Sequence, residues 1–168
     1  NGNCHTVSGL YVSGQGLEPV GLFGVAEGAT LACIDIAAST FSRGTVGAVA
    51  GKVLRSGVVD CCTGEDVTVT VTAEQGSGGG IIGLVLDSES SSGSFSQIGF
   101  CSNKAPVTGQ AYDGRIGGIL GRASGGTRVV ACRSNGTVSC SSEDITYLEA
   151  GGIAGTMRRG YLIQCAVT

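Results

Sequence analysis

A five-residue box recurs along the whole chain: VGLFG at 20–24, GAVAG at 47–51, GGIIG at 79–83, GGILG at 117–121 and GGIAG at 151–155. Its last glycine falls at 24, 51, 83, 121 and 155, so the period varies between 27 and 38 residues. A repeat of this length is too small to enclose a core alone, and its copies must stack to bury their apolar faces. A second marker keeps the same variable period. Cysteines stand at 4, 33, 61, 101, 132 and 165, usually with an aliphatic residue two positions earlier, as in Leu31 before Cys33 and Val130 before Cys132. Cys101 belongs to this series although Gly99 replaces the aliphatic.

Within each unit the pattern is that of strands. Val67–Thr72 alternates Val and Thr, the period of a half-buried strand, and Gly136–Cys140 and Ile145–Leu148 read the same way. No window holds a helical stripe, and glycines every few residues would cost a helix about 1 kcal/mol each. Each unit therefore reads as three short strands separated by Gly, Ser, Asn or Asp turns. Longer connections at 73–80, 88–97 and 108–115 lie outside the stack. The predicted fold is all-β: a parallel β-solenoid (β-helix) of about five to six coils, three-faced, forming one domain over 1–168. Equivalent side chains superpose about 4.8 Å apart, so inward positions form ladders.

Composition removes several classes of function. Glycine supplies 31 of 168 residues without a three-residue period, which excludes collagen. Hydrophobic residues make up 42%, enough for an ordered core. A net charge of −3 without long charge runs argues against nucleic acid, and the longest apolar run, Ile81–Leu86, is too short for membrane insertion. The chain starts Asn1-Gly2-Asn3-Cys4 with no Met, basic region or apolar leader, so the expectation is a fragment of a longer repeat protein or a processed chain.

The fullest copy of the unit reads GGILG at 117–121, VVACRSNGTVS from 129 to 139, then GGIAG at 151–155. It resembles the GLUG-motif repeats of large bacterial surface proteins, in which a Gly-Gly-aliphatic-x-Gly box leads to a Cys-containing strand and an Asn-Gly-Thr-Val-like turn. That resemblance implies an extracellular, cell-surface, adhesin-like or cell-wall-associated protein, and it brings no catalytic residues to carry over.

Stacked side chains on parallel strands stand near the strand spacing of about 4.8 Å, beyond the Cβ separation a disulfide prefers. Cys4, Cys33, Cys61, Cys101, Cys132 and Cys165 are therefore expected as a mainly reduced interior ladder. Cys62 and Cys140 fall outside the series and either pair or face solvent. A metal site is not expected: there is no CxxC, and His5 is the single histidine.

The remaining chemistry is sparse. GSGGGIIG at 76–83 contains a G-x-G-x-x-G string, but Leu84-Val85-Leu86 continues as a strand where a dinucleotide fingerprint needs a helix. Gly51-Lys52 fails as a P-loop because Val46 and Val53 occupy key positions. No catalytic triad, zinc motif or EF-hand loop is present, and the acids Glu65-Asp66, Asp87, Glu89, Asp113, Glu143-Asp144 and Glu149 are scattered. Arg122, Arg128, Arg133, Arg158 and Arg159 read as a modest basic stripe or a solvated face. Phe23 and Phe100 read as core, and Tyr112 beside Asp113 is the candidate ligand contact.

The expected function is a non-enzymatic extracellular module, a stalk, spacer or adhesive surface for glycans or host matrix proteins, without a cofactor. Ligand contact is expected at the loops 87–97 and 108–115. A polysaccharide-processing or carbohydrate-binding β-helix is the alternative, marked by carboxylates, or an Arg with acids, converging in one groove. Self-assembly through open coil ends, onto flanking repeats or another copy, is the third reading.

Overall fold

A computed structural model describes residues 1–55, 57–60, 62–87, 95–110, 113–141 and 147–168. The chain is a parallel β-solenoid: every strand pairing among the described residues is parallel, and the strands fall into one nine-stranded and three five-stranded sheets. A half coil, His5–Ser8 and Tyr11–Ser13, precedes five coils. In chain order each coil visits a first sheet (Pro19–Val20, Thr45–Gly47, Ser77–Gly79, Asp113–Gly117, Tyr147–Gly151) and then a second (Phe23–Glu27, Ala50–Leu54, Ile82–Leu86, Leu120–Ser124, Ala154–Arg158). It continues through a third (Thr30–Ala32, Val58–Asp60, Gln97–Gly99, Arg128–Val130, Tyr161–Ile163) into the nine-stranded fourth.

Each coil carries more strands than the three expected per unit, because the chain turns in the middle of the box. Gly47 ends a first-sheet strand and Ala50 starts a second-sheet strand. The run at 145–148 also does not close a unit. Its described part, Tyr147 and Leu148, opens the first-sheet strand of the next coil. Asp113, expected in a connection, likewise begins a strand.

The core consists of columns. Leu31, Val59, Ile98 and Val129 superpose in the third sheet, and Val49, Ile81, Ile119 and Ile153 stack at the box. In the fourth sheet Phe41 lies under Val69 and Val107, all fully buried. Polar residues enter this interior as well, Asn103 and Ser134 stacked on one another among them. The Asn103 side chain donates to the Ala105 carbonyl (2.8 Å) and accepts from the Ala105 amide (3.1 Å), so it satisfies itself where the long fourth-sheet strand of earlier coils splits in two.

Phe23 and Phe100 do not belong to the core; they are 40% and 61% exposed. Phe100 occupies a corner where the backbone is left-handed (φ 52°), as it is at Cys4, Cys33, Ala131 and Gln164. A side chain on that corner is thrown outward whatever its hydrophobicity.

The same corner corrects the cysteine ladder. Pairing of His5 with Ile34, Asp35 with Thr63, Thr63 with Ser102, Ser102 with Arg133 and Arg133 with Ala166 fixes the register. The inward column is therefore Ile34, Cys62, Cys101, Cys132 and Cys165. Cys4 and Cys33 lie one position earlier, on the left-handed corner, and Cys4 is exposed. Cys61 lies outside the described residues. A one-residue shift between early and late coils is invisible in a period that varies by several residues.

Candidate functional site

The solenoid's re-entrant edge lies where the first and second sheets meet. The register stacks Pro19, Thr45, Ser77, Arg115 and Glu149 in one column of the first sheet. It stacks Val25, Lys52, Leu84, Arg122 and Thr156 in one column of the second. The box reverses the chain between them, so residue i of the first column meets residue i+7 of the second. Thr45 with Lys52, Ser77 with Leu84 and Arg115 with Arg122 form three rungs that line one groove of about 360 Å³. A fourth rung is closed by a hydrogen bond from the Thr156 hydroxyl to the Glu149 carboxylate. In the first coil the box is one residue shorter, and Val25 follows Pro19 by six.

Box glycines bring the two sheets this close. A Cβ on Gly121 would lie 2.6 Å from the Gly78 nitrogen, and one on Gly83 would lie 2.7 Å from the Val46 nitrogen. Each second-sheet strand thus rests directly on the backbone of the preceding coil's first-sheet strand, which forms the bottom of the groove. Thr45 and Ser77 are buried there, whereas Lys52, Leu84 and Arg122 are half-buried along the wall.

The charges are unevenly satisfied. Arg115, with a side chain only 17% exposed, pairs through Nη2 with Asp113 Oδ1 (2.8 Å) and through Nε with Glu149 Oε2 (3.4 Å). Its Nη1 also donates to the Asp113 carbonyl (3.0 Å). One guanidinium therefore ties an acid of its own coil to an acid of the next. Lys52 and Arg122 have no ion-pair partner among the described residues.

Asp113 thus lies in the groove, while Tyr112 lies outside the described residues. Sequence reasoning missed Lys52 as a site residue and read Arg122 as part of a modest basic stripe or a solvated face. Arg122 points from the second sheet, Arg128 from the third, with its guanidinium 5.1 Å from the Phe95 ring centre, and Arg133 from the fourth. The constant seven-residue spacing across each full-length box was the available signal. Of the expected contact loop 87–97, residues 88–94 lie outside the described set. Asp87 is buried and accepts from the Ser96 amide (2.8 Å), the Ser96 hydroxyl (2.6 Å) and the Thr127 hydroxyl (3.3 Å). It holds the two ends of that insertion together.

The thiol column offers no comparable access. Cys62, Cys101, Cys132 and Cys165 direct their sulfurs to the carbonyls two residues back, Asp60 (3.3 Å), Gly99 (3.2 Å), Val130 (3.4 Å) and Ile163 (3.5 Å). Hydrogen bonds with the Cys132 and Cys62 thiols, together with burial, push Cys101 well above the ordinary thiol range. No group of three His, Cys, Asp or Glu side chains among the described residues is arranged to hold a metal ion. Since the thiolate is the reactive form, Cys101 should resist alkylation in the folded chain at pH 8 and react fully in denaturant. Mass-spectrometric mapping checks this, and rapid native labelling of Cys101 would contradict the stack.

Fold and edge together define a parallel β-solenoid with a polar, cation-bearing groove running along its axis. No protein-family model, curated protein or solved structure matches the chain.

Proposed function

We propose that the chain is a non-enzymatic repeat module of an extracellular, cell-surface protein, serving as a rigid spacer whose outer columns make multivalent contact with glycans or matrix proteins. Continuous parallel register through five coils carries this reading. A stack of that kind holds its side chains at fixed intervals, which suits repeated weak contacts better than a single tight one. At the last coil Leu162 (52% exposed) and Val167 (59%) leave inward-column positions uncovered. A further coil in parallel register would bury them.

The convergence of Asp113 and Glu149 on Arg115 favours a second reading, a polysaccharide-processing β-helix. Against it, both carboxylates are engaged by the same guanidinium. Depolymerisation assays on neutral and acidic polysaccharides separate the two. The expected result is no shortening of any polymer, alongside retention on a glycan or matrix-protein array. Turnover would replace the spacer reading, and an array without signal would leave only the scaffold role.

A further inference from the structure

We infer that the groove between the first and second sheets is a binding site for a linear carboxylated polysaccharide with its acid groups on alternate sugars. The inference rests on the module reading above and names its ligand. Lys52 and Arg122 occupy one column with Leu84 between them. Two layers of a parallel sheet separate the cations by about 9.5 Å. Two linked sugar residues cover such a span, so carboxylates on every second sugar meet Lys52 and Arg122 in turn while the intervening ring lies on Leu84.

Both cations are half-buried in the wall and have no ion-pair partner among the described residues, so nothing must be displaced for an anion to reach them. Opposite them Thr45 and Ser77 carry hydroxyls, and the Arg115–Asp113 pair presents charged donors and acceptors to sugar hydroxyls. A groove three rungs long, running along the solenoid axis, takes a stretch of a linear polymer. The charge density is wrong for nucleic acid. Duplex DNA carries a charge about every 1.7 Å, far denser than two cations two layers apart, and the chain's net charge of −3 opposes it.

The test uses a fluorescent hyaluronan decasaccharide, whose uronates alternate, at low ionic strength. Carboxyl-reduced hyaluronan, dextran and a DNA oligonucleotide are the comparators. The chain should bind hyaluronan, lose affinity with added salt, and bind the three comparators more weakly. Lys52→Gln with Arg122→Gln should weaken binding about a hundredfold, roughly tenfold for each charge-assisted contact. Arg133→Gln removes the same charge from the fourth sheet and should change little. An unaltered unfolding midpoint in each variant confirms that the fold persists.

The proposal is overturned if the double variant binds like Arg133→Gln, if carboxyl-reduced polymer or DNA binds equally well, or if no probe binds. Chain length of the recovered hyaluronan distinguishes this failure from failure of the module reading. Shortening overturns the non-enzymatic reading while leaving the groove as the binding site. Intact polymer without binding overturns the groove assignment alone.

Discussion

Gly121→Val should destabilise the fold by at least about 3 kcal/mol and lower its unfolding midpoint by roughly 10 °C. The position is buried, and a Cβ there would come within 2.6 Å of the Gly78 nitrogen and 2.5 Å of the Gly83 oxygen. Both neighbours are backbone atoms inside parallel ladders, so neither yields by a simple rotamer change. The second sheet would have to lift away from the first, opening the floor of the groove. Ser124→Val, on the half-exposed end of the same strand, should fall within about 0.5 kcal/mol of the parent. Urea and thermal unfolding followed by circular dichroism measure both. An unchanged midpoint for Gly121→Val would mean that the two sheets do not meet backbone to backbone.

Asp87→Ala should cost about 3 kcal/mol. The carboxylate accepts from the Ser96 amide, the Ser96 hydroxyl and the Thr127 hydroxyl, and both partner residues are fully buried. Its removal strands three donors away from water, each carrying a desolvation cost of about 1–3 kcal/mol that relaxation partly relieves. Asp87→Asn keeps one acceptor oxygen and should recover about half the loss. The damage should also be local. Hydrogen exchange ought to accelerate around Ser96 and Thr127 while the first coil stays protected, since stacked repeats transmit strain mainly to their neighbours. Uniform acceleration along the chain, or an alanine variant as stable as the parent, would show that Asp87 does not hold the insertion.

The fold was legible because its two signals are independent of strand detail. The box glycines mark a close approach that recurs once per coil, and the Val-Thr alternation around Val67–Val71 marks a strand with one face buried. The cysteine column was legible only in part. Cys101, Cys132 and Cys165 occupy it, but in the early coils the cysteine falls one residue sooner, on a corner where the backbone is left-handed. A periodicity argument counts intervals and does not see which side of a corner a residue occupies. Phe23 and Phe100 were misread for a related reason: hydrophobicity was taken as burial, whereas backbone geometry decides where each ring points.

For the candidate site, Asp113 was visible as an acid in an otherwise plain segment, but its partner Arg115 and the opposing Lys52 and Arg122 were not. Their meeting depends on the box turning the chain back on itself, and a strand reading of the box runs straight through it.

The rung construction has an evolutionary and engineering consequence. Each rung comes from two residues seven apart inside one short stretch of chain, and the stack repeats at about 4.8 Å. Duplicating a single unit would therefore lengthen the channel by one fixed step and leave the others in register. Editing two codons would likewise rewrite the chemistry of one step alone. Reach and selectivity become separately adjustable quantities, counted in whole units.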